Sequence, residues 1–210
     1  MATLAIVKLS QGDVEAAQPA IEILLDRGAL AAARSALQTF PAEKDVPAIS
    51  FLRGRLAWQL VKAGSKNYNP EDARRYWETA VKQKPSVEYL NALGFAYYTE
   101  GNLEGASSAW FQSIALLEQQ KSSQQNAAKS PAQDALVAYS GLALVSMKLL
   151  NGQSADEQTR LKEEAVKLRD QVLRQAPTEF QPDALVKNWL WTEKMIQNWK
   201  AILALKQSKP

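Results

Sequence analysis

The chain has no cysteine and no histidine among its 210 residues. That removes disulfides, thiol nucleophiles, Cys/His metal sites and every triad with an imidazole base. Its nine glycines are scattered, so no glycine-rich loop can cradle a phosphate. No apolar run approaches the ~20 residues that a membrane-spanning helix needs. Charge of one sign is also missing as a block. The net charge is +3, with six basic and six acidic side chains over residues 1–60 and ten and eight over 151–210. Such an even spread lacks the footprint of a nucleic-acid or membrane binder. Glu163 and Glu164 are sequence neighbours that point apart on a helix, so they make no acid/base dyad. The chain therefore reads as a non-enzyme with no cofactor and no metal. Its start, MATLAIVKLSQGD, has no basic segment ahead of the apolar one and does not read as a signal peptide. A cytoplasmic location is the expectation.

What is present is helical periodicity. Glycine and proline fall between apolar-periodic segments, and no stretch alternates with period two. The pattern predicts helices over 2–10, 14–27, 29–40, 47–63, 70–84, 86–99, 102–119, 132–150, 155–176 and 183–206. Asn69 can cap the helix that opens at Pro70, with Glu71 and Asp72 at its positive end. Ser154 and Glu157 have capping-box spacing. The Gln-, Ser- and Ala-rich residues 118–133 read as a frayed helix end and a flexible loop closing at Pro131. Short connections elsewhere imply antiparallel hairpins.

The helices repeat. The central copy runs Leu93-Gly94, Tyr97, Gly101, Ala106, Trp110. Before it come Gly54, Ala73, Trp77, Ala80 and Pro85; after it come Gly141, Ala165, Arg169, Val172 and Pro177. A worn first copy keeps Ala33 and Leu37. The small residues Gly94 and Ala106 are expected where the two helices of one repeat cross, with Leu93, Tyr97 and Trp110 filling the space around them.

This series resembles the tetratricopeptide repeat, a helix–turn–helix unit of about 34 residues. The resemblance is closest over 87–120, good over 47–86 and 134–177, and weak over 14–46. It implies an all-α fold, a right-handed superhelix (an α-solenoid) of antiparallel helix hairpins. The whole chain then reads as one domain, with a lone helix in 1–13, the four repeats, and a capping helix in 182–206. Extra residues near 64–69 and 151–158 lengthen one end of two hairpins.

The resemblance also implies a function. First helices of such repeats line a concave groove that takes a peptide or a partner helix. Carried across, the groove residues are Phe51, Arg55 and Trp58, then Asn91, Phe95 and Tyr98, then Ala138, Leu142 and Val145. Packing between repeats is the competing account of each aromatic. Collectively they offer the aromatic anchors that interface hot spots use. Asn91 and Arg55 match part of a clamp for a peptide carboxylate, but Glu88, Ala92 and Thr99 stand where its remaining cation is needed. Arg74, Arg75, Lys82 and Lys84 form a basic patch best read as a solvated outer face. The expected partner is thus a protein or peptide of unknown identity.

The alternative lies in the C-terminal segment. Read as one helix, it aligns Leu185, Trp189, Ile196, Trp199 and Leu203 in a stripe that covers the end of the stack. Trp191, Met195 and Ile202 widen that face beyond what capping needs. They suggest a second interface, used for a homodimer or for docking onto another part of a longer polypeptide. Arrays of this texture often accompany bacterial signalling domains.

Overall fold

The computed structural model describes residues 1–41, 46–123 and 131–206, and these contain helices and turns but no strand. Inter-helix contacts cluster into two compact units, residues 1–85 and 86–210, where the sequence reads as one domain. Unit 1 holds α1 (Ala2–Ser10), α2 (Val14–Asp26), α3 (Leu30–Gln38), α4 (Pro47–Lys62) and α5 (Pro70–Gln83). Unit 2 holds α6 (Val87–Glu100), α7 (Leu103–Ser123), α8 (Pro131–Lys148), α9 (Ala155–Gln175), α10 (Pro182–Leu185) and α11 (Glu193–Leu203). The hairpins α4–α5, α6–α7 and α8–α9 are the most extensively packed pairs.

Most helix ends follow from local chemistry. Asn69 accepts from the Asp72 N–H while the Asp72 carboxylate accepts from the Asn69 N–H, a reciprocal cap. Ser154 accepts from the Glu157 N–H; the Glu157 carboxylate turns to Arg160 instead of closing the box. The α6–α7 turn passes through Gly101 at φ 86°, a left-handed conformation that favours glycine. The predicted loop over 118–133 is met only at its edges. α7 continues to Ser123 and α8 starts at Pro131, and residues 124–130 lie outside those described.

The α4–α5 and α6–α7 hairpins are each built around a buried indole. In unit 1, a Cβ added at Gly54 on α4 would stand 2.4 Å from the Trp77 ring on α5. In unit 2, Trp110 on α7 lies between two glycines: a Cβ at Gly94 on α6 would meet it at 2.5 Å, and one at Gly141 on α8 at 2.3 Å. The glycines are thus small to admit a tryptophan, which revises the expected role of Gly94 in a crossing with Ala106. Both indole N–H groups are satisfied: Trp77 donates to the Phe51 carbonyl and Trp110 to the Asn91 carbonyl.

The C-terminal segment departs from the single helix predicted over 183–206. α10 ends at Leu185 and α11 begins only at Glu193. Asn188 Oδ1 accepts from the Leu190 N–H, and Thr192 Oγ1 caps α11 at the Met195 N–H. Short polar side chains that bond neighbouring backbone compete with helix in this way. Trp189 and Trp191 therefore sit in an irregular stretch, and the helical stripe drawn through Trp189 does not form.

Candidate functional site

In unit 1 the sequence-predicted groove residues are interior. Phe51 and Trp58 are buried and flank Trp77, with ring centroids 6.4 and 5.5 Å away. Arg55 is buried as well and pairs with Asp26 of α2. The half of a peptide clamp expected from Arg55 is thus engaged within the unit. Burying a guanidinium without such a partner would be costly, and the carboxylate offsets that cost.

In unit 2, Asn91 is a buried junction among three helices. Its side-chain amide donates to the Asp134 carbonyl at the start of α8 (3.0 Å). Its Oδ1 accepts from Ser113 on α7 (2.9 Å), and its backbone carbonyl takes the Trp110 indole N–H. Ala138, Leu142 and Val145 on α8 are also buried. The resemblance placed Asn91, Phe95 and Tyr98 on the open groove. The structure corrects that: all three are among the buried residues.

What buries Phe95 and Tyr98 is the C-terminal segment. Phe95 meets Trp110 edge-on at 5.2 Å from one side and Trp191 at 5.4 Å from the other. Trp191 continues into Trp199 (5.9 Å), and Phe180 stands beside both indoles. The Trp199 N–H donates to the Phe180 carbonyl (2.8 Å). Tyr98 extends from α6 so that its hydroxyl accepts from the Asn198 amide of α11 (2.8 Å). Lys148 lies over the Tyr98 ring, 4.6 Å from the centroid, and donates to the Tyr98 carbonyl. Burial pushes the Tyr98 phenol pKa up, partly offset by the Asn198 hydrogen bond. Burial and then the charge of Lys194 pull the Lys148 pKa down.

Trp191 and Met195, expected as a second external interface, are each 1% exposed. A homodimer through them would require the segment to leave its own unit. α11 is further held by Arg169 on α9, which is 7% exposed. Its Nη1 donates to the Ile202 and Leu205 carbonyls at 3.0 and 2.6 Å. These carbonyls lie at the negative end of α11, where a cation is favoured. Asp170 balances the charge at 2.7 Å.

Arg169, Asn198 and the Phe95–Trp191 contact were not found as a site from sequence. The available signal was Arg169 itself, a charge at the place that Trp77 and Trp110 hold in the preceding hairpins. Among the described residues no group of acidic side chains could hold a metal, and no described helix is long and apolar enough to cross a membrane.

A protein-family model described as tetratricopeptide repeat matches residues 65–143, from the α4–α5 turn into α8. No curated protein and no solved structure matches the chain.

Proposed function

We propose that this chain, whose residues 65–143 belong to the tetratricopeptide repeat family, is a protein–protein interaction scaffold whose unit 2 takes the chain's own C-terminal segment as an internal ligand. Repeats of this family generally mediate protein–protein interaction or scaffolding and are non-catalytic. The observation that carries the finer reading is Trp191 seated on Phe95, the residue that the family resemblance assigns to ligand contact. The Asn198–Tyr98 hydrogen bond adds a polar anchor beside it. An aromatic side chain buried in an aromatic-lined face, with a polar group satisfied next to it, is the usual composition of a binding hot spot. A tethered ligand holds such a face at high effective concentration, so an outside peptide competes at a disadvantage.

Hydrogen–deuterium exchange on the full chain tests this. Trp191→Ala should raise exchange together in residues 186–206 and in α6, with α4 and α5 unchanged. Adding a peptide of residues 182–206 should restore the protection of α6. Faster exchange confined to 186–206, with α6 still protected, would refute docking on the inner face.

A further inference from the structure

Unit 1 holds a cavity of about 380 Å³ between α3, α4, the α4–α5 turn and α5. Three observations mark it. The first is a spare cation. Arg34 on α3 has no carboxylate partner among the described residues, and its Nε–H is withdrawn from solvent with no hydrogen-bond acceptor. The guanidinium stacks on Tyr68, 5.4 Å from the ring centroid. Stacking uses its face and leaves the edge donors, which suit a planar carboxylate.

The second is what lies beside it. Arg53 also lines the cavity, and it donates to the Leu37 and Phe40 carbonyls at the end of α3 (3.4 and 2.7 Å). Arg53 thereby offsets the negative end of α3 that would otherwise repel an anion. The third is the wall. Phe40 and Leu56 supply apolar surface, and Tyr76, more than a third exposed, also lines the cavity. A few polar groups set in an apolar concavity is the general form of a ligand site, and the volume is at the small end of the usual range.

We propose that this cavity takes an acidic side chain of a partner protein segment, its carboxylate against Arg34 and an adjacent bulky apolar side chain against Phe40 and Tyr76. The proposal rests on the reading of the chain as an interaction scaffold, yet it uses none of the residues that hold the C-terminal segment. Its proposed contacts Arg34 and Tyr76 are on second helices and Tyr68 is in a turn, while α4 contributes Arg53 and Leu56 and none of the groove residues Phe51, Arg55 and Trp58. The charge complementarity of a guanidinium with no carboxylate partner among the described residues argues for an acidic occupant over a neutral one.

The test is a titration of the isotope-labelled full chain by nuclear magnetic resonance, following backbone amides and the arginine Nε–H signals. The probes are acetyl-Gly-Phe-Glu-Gly-amide, the same peptide with Gln for Glu, 3-phenylpropionate and inorganic phosphate. The Glu peptide should shift the Arg34 Nε–H signal and amides of α3 and the α4–α5 turn, leaving α6–α11 still. The Gln peptide should bind at least ~10-fold more weakly, the loss of one charge-assisted hydrogen bond pair. Arg34→Met should weaken the Glu peptide similarly while its circular dichroism matches the parent chain, and Arg34→Lys should recover only part. Equal binding of the Gln peptide, shifts centred elsewhere, or no shift at millimolar peptide would each overturn the proposal. So would tighter binding of 3-phenylpropionate or phosphate than of the Glu peptide, since the occupant would then be a small free anion. Loss of the docking described for Trp191 would leave this titration unchanged, so the two readings fail separately.

Discussion

Trp110 and Arg169 occupy the same place in successive hairpins of unit 2 and do opposite things. Trp110 inserts its indole between Gly94 of its own hairpin and Gly141 of the next, so one buried ring joins two hairpins. Arg169 has no such ring. It reaches the last carbonyls of α11 and ties off the final helix. Trp110 at this position hands packing onward to α8, where Gly141 leaves room for the ring. Arg169 instead gives its donors to carbonyls at the C-terminal end of α11, which lack intrahelical partners. The contrast teaches that the same position serves as a joint between hairpins in α7 and as a tie for the final helix in α9.

The largest test of that contrast is Trp110→Ala. It empties a fully buried site against two helices and should cost ~3–5 kcal/mol, read as a lower urea midpoint for unit 2. Loss below ~1 kcal/mol would mean that the indole is not what joins the hairpins. Arg169→Met keeps the aliphatic stem but abandons two carbonyls and Asp170. It should cost ~1.5–3 kcal/mol, the range for hydrogen bonds to a charged group. Its effect should be local: exchange of the α11 amides rises while Trp110 fluorescence and the α6–α7 amides keep their native values. A variant as stable as the parent would show that α11 is held by Trp191 and Trp199 alone.

Much of this was legible in the sequence, and the failures have physical causes. Helix positions in 1–176 were read to within a few residues, because Pro, Gly, Asn69 and Ser154 punctuate a plain 3.6 period. The recurrence of Gly54, Gly94 and Gly141 with Trp77 and Trp110 was also visible, although the partner of the glycines was not. Period alone cannot say which large residue a small one is making room for. The groove was misjudged for a related reason. Phe95 and Tyr98 lie on a first helix, and the repeat pattern gives no sign of what packs on them from beyond α9. Only the break at Asn188–Thr192 brings Trp191 onto Phe95. That break was hidden under a strong apolar pattern in 183–206, since Asn188 and Thr192 act through their own local backbone bonds and leave hydropathy untouched. Arg34 escaped notice altogether: nothing in its sequence neighbourhood distinguishes it from a solvated helix cation, and its exceptional feature is the lack of a partner among the described residues.

Tyr98 joins the two sides of the comparison, since its ring lies 6.4 Å from Trp110 and its hydroxyl accepts from Asn198 of α11. Tyr98→Phe removes the hydroxyl alone and should cost ~1 kcal/mol at neutral pH, the value of one neutral hydrogen bond. The sign with pH follows from the raised phenol pKa. An acid whose folded pKa exceeds its unfolded value near 10 keeps more protons folded than unfolded as pH rises past that value. Its contribution is complete below pH 10 and is lost as pH climbs through the folded pKa. The advantage of the parent chain over Tyr98→Phe should therefore be constant up to about pH 9 and shrink above pH 10. Lys148, whose depressed pKa acts with the opposite sign, is present in both chains, so the difference cancels its direct contribution to first order. Urea melts of the two chains at pH 7, 9 and 10.5 measure that difference. If it stays flat to pH 10.5, the Tyr98 hydroxyl is not buried against α11, and the link between the Trp110 joint and the Arg169-capped helix is through rings alone.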